Sequence, residues 1–355
     1  MTNALLCNGL FGGLFHDPEV AAFFSGPAML GHMIGIETAW TRALVGSGVV
    51  AAADGDAALQ ALAAFDARDF RAASDRDGLP VPSLVAHLRR GLAPGPARAI
   101  HTGLTSQDVI DTALVLAMSG VLDTVNGRLL GLDTALQALE ARHGASPLMA
   151  RTRMQAALPA TVSLRVTAWR RLVRAQLDRL PAVRTGLAQV QVGGAIGLRD
   201  LPGGPAPAAA EHLARELGLR LGPVWHTERS AMVELGHWFT LVAGALGKIG
   251  QDIALMAQQG VDEIALDGGG GSSAMPHKQN PVLAETLVAL ARHVAGLQGT
   301  LAQAMIHEQE RSGAAWALEW LTLPAMAEAT GAAVRHTGSV LAAIRRIGTQ
   351  GQLSP

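Results

Sequence analysis

An all-α fold is predicted, a bundle of long helices preceded by a smaller helical region. Three observations carry that expectation. Apolar residues recur at helical spacing along most of the 355 residues, while the alternation of half-buried strands is nearly absent. The later helix candidates are long. Hydrophobic residues make up 49% of the chain against 16% charged, a composition suited to close helix packing and to faces covered by other copies.

Up to about residue 100 the candidates are short, at 32–46, 57–70 and 81–91. Breakers separate them, Gly78-Leu79-Pro80 and Pro94-Gly95-Pro96. Thr105-Ser106-Gln107-Asp108 then places a capping hydroxyl three residues ahead of an acid, the spacing of a capping box. From there an apolar pattern runs through Val115, Leu122, Leu129 and Leu136 to about His143, about 38 residues and about 57 Å of helix. Further long candidates lie at 159–190, 228–259, 281–307 and 318–347. Helices of this length cannot bury their apolar faces singly, so a bundle is implied. The Gly- and Pro-rich connection 192–207 reads equally as a hairpin or a loop. Residues 1–100 are expected to form a helical N-terminal domain, 101–348 a central five-helix bundle, and 349–355 a short tail.

A formal net charge of −1 gives no electrostatic reason to expect nucleic acid or an anionic membrane as partner. The lone cysteine, Cys7, excludes an internal disulfide framework and a Cys-rich metal site. The first residues lack a basic stretch ahead of an apolar run, so no leader is expected. The most apolar helix candidate is interrupted by Lys248, Gln251 and Asp252 and does not read as a membrane span. A cytoplasmic location is the expectation.

Chemistry-bearing residues gather in three stretches. In the first, Gly268 to Gly271 precede Ser272 and Ser273, and Met275, Pro276, Lys278, Asn280 and Pro281 follow. A flexible serine-bearing flap beside a cation and an amide suits carboxylate binding and proton transfer. The second is His101-Thr102-Gly103-Leu104-Thr105-Ser106-Gln107-Asp108. Its hydroxyls, the Gln107 amide and the free N–H groups of a helix start would cradle a carboxylate. Capping alone explains Thr105 and Asp108 but not the His-Thr-Gly lead-in. The third is Ala150-Arg151-Thr152-Arg153-Met154-Gln155, running on to Pro159, which reads as a helix start.

These stretches resemble the signatures of the fumarase/aspartase superfamily, G-S-S-x-M-P-x-K-x-N for the loop and R-T-H-x-Q-x-A-x-P for the third stretch. The resemblance covers nearly the whole chain. It implies a small helical N-terminal domain, a central long-helix bundle and a third, C-terminal helical domain that is expected to be truncated or absent here. It also implies a homotetramer whose active sites are each shared between subunits. No cofactor and no metal are expected.

One departure bears on chemistry. The superfamily's histidine is Arg153 in this chain. Arginine does not deprotonate near neutral pH and cannot activate water or an amine. An enzyme whose nucleophile is the substrate's own carboxylate has no such need, since lactonisation leaves only the α-carbon to be protonated. Gly78 to Leu84, the segment His307-Glu308-Gln309-Glu310-Arg311-Ser312 with Trp316, Glu319 and Trp320, and Trp225 to Arg229 are similar to the cycloisomerase branch of the superfamily. That branch lactonises 3-carboxy-cis,cis-muconate, a small tricarboxylate, in the protocatechuate branch of the β-ketoadipate pathway.

The resemblance then implies roles. Ser272 is the acid that protonates the α-carbon, with Ser273 as its fallback. Lys278 and Asn280 stabilise charge on the enolate-like intermediate. His101, Thr102, Thr105, Ser106, Gln107, Arg151, Thr152, Arg153, Gln155, Met275 and Arg311 bind substrate, and Glu285 is placed to pair with Arg153. Two other readings stay open: a fumarate-releasing lyase of the adenylosuccinate or argininosuccinate type, and a non-catalytic protein built on the same bundle.

Overall fold

The computed structural model describes residues 9–66, 71–200, 206–271, 275 and 278–350. Short helices α1 (Gly12–Phe15) and α2 (Pro18–Ala22) open the described chain. The N-terminal layer follows as α3 (Gly26–Gly46), α4 (Ala52–Ala63), α5 (Arg71–Asp77), α6 (Val81–Leu88) and α7 (Pro94–Ala99). The five long helices are α8 (Ser106–His143), α9 (Val162–Leu187), α11 (Ser230–Met256), α12 (Val282–Gln303) and α13 (Ala314–Ala342), with α10 (Ala206–Glu216) between the second and third.

The long helices share one apolar core, built from residues such as Leu122, Trp169, Trp238, Phe239, Leu287 and Met326. Helix α11 is long and apolar enough to cross a membrane by composition. Here it is a core helix, packed on α9, α12 and α13 with Trp238, Phe239 and Leu246 buried. A second apolar cluster joins Trp40, Leu62 and Leu84 to the first turns of α8 (Val109, Ile110), to Leu213 of α10 and to Trp316. The N-terminal layer therefore packs around the end of the bundle where α8 begins. Asp17 pins the opening segment to that bundle. Its carboxylate caps α2 through the Val20 N–H at 3.1 Å and accepts from Arg128 of α8 at 2.5 Å.

Among the elements that the sequence reading missed, one hairpin displaces a helix start. Residues expected to start a helix at 159 instead complete a hairpin of β1 (Pro147–Thr152) and β2 (Gln155–Thr161). Pro159 lies in β2 opposite Met149, and α9 begins only at Val162. Thr152 pairs with Gln155, so the turn is the two residues Arg153 and Met154, with φ of 47° and 70°. Positive φ at both positions matches the tight turn whose twist suits a hairpin, though it normally selects Asn and Gly. The remaining strands pair two by two, β3 (Gln189–Val190) parallel to β4 (Arg220–Leu221), and β5 (Ile264–Leu266) antiparallel to β6 (Ile344–Ile347), the latter pair meeting the base of the hairpin. Thr349 N–H donates to the Pro147 carbonyl at 2.8 Å, joining β6 to the hairpin.

Candidate active site

The cradle forms where α8 begins, and a face of α3 builds it. Glu37, Trp40 and Thr41 stand at i, i+3 and i+4, hence on one side of that helix. Thr41 Oγ1 donates to the Ala99 carbonyl at 3.0 Å and Trp40 Nε1 to the Thr102 carbonyl at 2.8 Å. Arg89 donates to the Ile100 carbonyl at 2.6 Å. Thr102 Oγ1 turns back to the Arg98 carbonyl. With its carbonyls held in this way, the loop carries His101 at φ 62°, and His101 Nδ1 lies 2.6 Å from Oε1 of the buried Glu37.

Asp108 does more than cap the helix. Its buried carboxylate accepts from the N–H groups of Thr105 (2.9 Å), Gly193 (2.8 Å) and Gly194 (3.0 Å), and lies 2.8 Å from His226 Nε2. Side chains would not fit on that loop. A Cβ on Gly193 would sit 2.5 Å from the His226 ring, and Gly194 has φ 67° with the Gly103 carbonyl 3.0 Å from its Cβ position.

One turn further along α8, Asp111 receives the buried Arg229 guanidinium at 2.8 and 3.0 Å and the Trp316 Nε1 at 2.9 Å. Arg229 also bonds Glu319 through two nitrogens at 2.7 and 2.5 Å and lies over the Trp225 ring. Burial acts against the guanidinium charge, but Asp111 and Glu319 outweigh it and hold the pKa above its ordinary value. With two carboxylates to one cation, Glu319 is pushed up, by burial first and also by repulsion from Asp111. His307 lies beside this group, and burial followed by Arg229 lowers its pKa.

The expected site residues divide. Thr105 caps α8 and accepts from Arg311, bringing 307–312 to the cradle, and Ser106 opens the helix half-buried. Gln107 departs from expectation. It is 1% exposed, with Nε2 on the His226 carbonyl at 2.9 Å and on Asp111 at 3.2 Å, because its position falls on the inward face of α8. Arg151 is likewise engaged, by the buried Glu263. Thr152, Arg153 and Gln155 are exposed at the hairpin tip. Lys278 and Met275 are exposed, and Asn280 closes the neck of the serine loop by exchanging backbone hydrogen bonds with Gly270 at 2.9 and 3.0 Å. Ser272 and Ser273 lie outside the described residues. Glu285 is exposed in the first turn of α12 and makes no ion pair with Arg153 in this chain.

The stretches do not converge within one chain. The hairpin and the serine loop, which continues from β5, belong to the end where α8 finishes. His101, Thr105 and Arg311 belong to the end where it begins, about 57 Å away along a 38-residue helix.

A family described as lyase matches residues 18–296. The chain belongs to this lyase family. Members are of the fumarase/aspartase type and generally oligomeric. Among similar members is the 3-carboxy-cis,cis-muconate cycloisomerase of Pseudomonas aeruginosa, 38% identical over 89% of this chain and 71% of that protein. The Acinetobacter baylyi enzyme of the same name is 33% identical, over 94% and 76%. The crystal structure of the 3-carboxy-cis,cis-muconate lactonizing enzyme from Pseudomonas putida superimposes with a TM-score of 0.87 at 34% identity, covering 95% of this chain and 77% of that one.

Sequence reasoning missed Glu37 and Asp111, and it singled out His226, Arg229 and Glu319 only by likeness to the cycloisomerase branch, without placing them at this end of the bundle. Glu37 had a local signal, a charge set among the buried Met33, Ile36 and Trp40 of one helix. The others meet across more than 80 residues of chain.

Proposed function

We propose that this protein is a cycloisomerase that lactonises 3-carboxy-cis,cis-muconate. A carboxylate oxygen of the substrate forms a C–O bond with an alkene carbon. The displaced π pair passes to the α-carbon and its carboxylate, and a proton from Ser272 arrives at that carbon, to be replaced from water. Lys278 and Asn280 carry the transient charge. Arg153, Arg311 and His101 hold the carboxylates.

The observation that carries this reading is Arg153. It stands exposed at an open hairpin tip, where a guanidinium can bind a carboxylate but cannot take a proton from a nucleophile. A spectrophotometric assay with 3-carboxy-cis,cis-muconate tests it, and loss of the diene absorbance is expected. Fumarate released from adenylosuccinate or argininosuccinate would replace this reading with the lyase one.

The length of α8, about 57 Å for its 38 residues, keeps the two groups of residues at opposite ends of one chain and supports a site assembled from several copies. The assembly we propose is a cytoplasmic homotetramer acting on a small soluble tricarboxylate, with activity lost on dissociation. A fully active monomer in light scattering would rule that assembly out.

A further inference from the structure

Helix α3 makes a contact that loop anchoring does not require. Trp40, Thr41 and Arg89 already hold the carbonyls of Thr102, Ala99 and Ile100. The same face of α3 also buries a carboxylate, Glu37, which is 0% exposed and reaches only the His101 ring, its Oε2 having no partner among the described residues. Burying a carboxylate is costly unless it is paired and hydrogen-bonded. His101 itself sits at φ 62°, a conformation uncommon for any residue with a side chain. An unfavourable backbone and an unfavourable burial thus converge on one imidazole.

We infer that Glu37 is a positioning residue for His101. An ionised carboxylate only accepts hydrogen bonds, so Nδ1 carries a proton and Nε2 is the nitrogen left for the substrate. Glu37 fixes both the ring's orientation and its tautomer, as the carboxylate behind a catalytic histidine does. No described residue hydrogen-bonds Nε2. This deepens the lactonase reading and rests on it for the substrate, though not for the state of the ring.

The test uses the full-length protein with 15N-labelled histidine. Wild type is expected to show Nδ1 protonated before any substrate is added. Glu37→Gln offers the ring either an oxygen or an NH2 group, so the Nε2–H tautomer should become populated and kcat/KM should fall about ten- to a hundredfold, the scale of losing an orienting partner. In a His101→Ala background the same substitution should change kcat/KM by less than about twofold. An unprotonated Nδ1 in wild type overturns the assignment even if Glu37→Gln fails to fold. So does an equal kinetic loss with and without His101. A wild-type protein with the expected ring state but no lactonisation would leave the assignment intact and remove the proposed reaction instead.

Discussion

Asp108→Asn is the sharpest probe of how the cradle is built. The carboxylate has two acceptor atoms and four partners: Oδ1 meets the Gly193 N–H and His226 Nε2 at 2.8 Å each, and Oδ2 meets the N–H groups of Gly194 and Thr105 at 3.0 and 2.9 Å. An amide placed with its NH2 toward Gly194 and Thr105 confronts two donors. Flipped, it confronts the Gly193 N–H, while His226 can accept by moving its proton to Nδ1, which is buried and has no partner among the described residues. The flipped state is cheaper. It newly leaves the Gly193 N–H unsatisfied, about 1–3 kcal/mol, and weakens three charge-assisted bonds by about 1 kcal/mol each. The expected loss is therefore about 4–6 kcal/mol, read as a shift of the urea midpoint at unchanged slope and matched protein concentration. kcat/KM should drop as well, because Thr105 and the Gly193-Gly194 loop lose their common anchor. A loss below about 1 kcal/mol would refute the claim that this carboxylate organises the site.

Other outcomes follow from the same geometry. Ser272→Ala should lower kcat at least about a hundredfold with little change in substrate binding; a large loss in Ser273→Ala instead would move the role to its neighbour. Arg153→Met should lower kcat/KM about ten- to a hundredfold, the worth of a charged hydrogen bond of about 1.5–3 kcal/mol, and Arg153→Lys should recover only part of it. Arg229→Met leaves Asp111 and Glu319 buried without their cation, which should cost about 3–5 kcal/mol in urea unfolding. Asp17 has a pH signature. Burial raises its pKa, but Arg128 and the Val20 N–H outweigh burial and set it below the ordinary 3.8. Its contribution is thus full above about pH 4 and lost as pH falls through the lower folded-state value. The urea-midpoint gap between wild type and Asp17→Asn should be constant near pH 6 and narrow as the pH falls below about 4.

The five long helices were legible because each carries an apolar pattern over many turns, and the start of α8 because Thr105 and Asp108 announce a cap. The hairpin was not. Its turn residues, Arg153 and Met154, carry none of the Asn-Gly chemistry that signals a tight turn, and Pro159 imitates a helix start. Nor could local sequence reveal that Arg151 and Gln107 are engaged elsewhere. Glu263 lies 112 residues from Arg151, and the His226 carbonyl lies 119 from Gln107. Periodicity reports which face of a helix turns inward; it is silent on which charge waits there.

His101 also bears on how this protein should be engineered. A left-handed backbone disfavours any side chain by about 1 kcal/mol relative to glycine. His101→Gly alone would leave the buried Glu37 carboxylate without its partner, so it is the double exchange His101→Gly with Glu37→Leu that should raise the melting temperature while removing the imidazole. A selection for heat resistance alone would favour that exchange and report success. The position records a preference for chemistry over rigidity, and a thermostable library that is never assayed for turnover would erase it first.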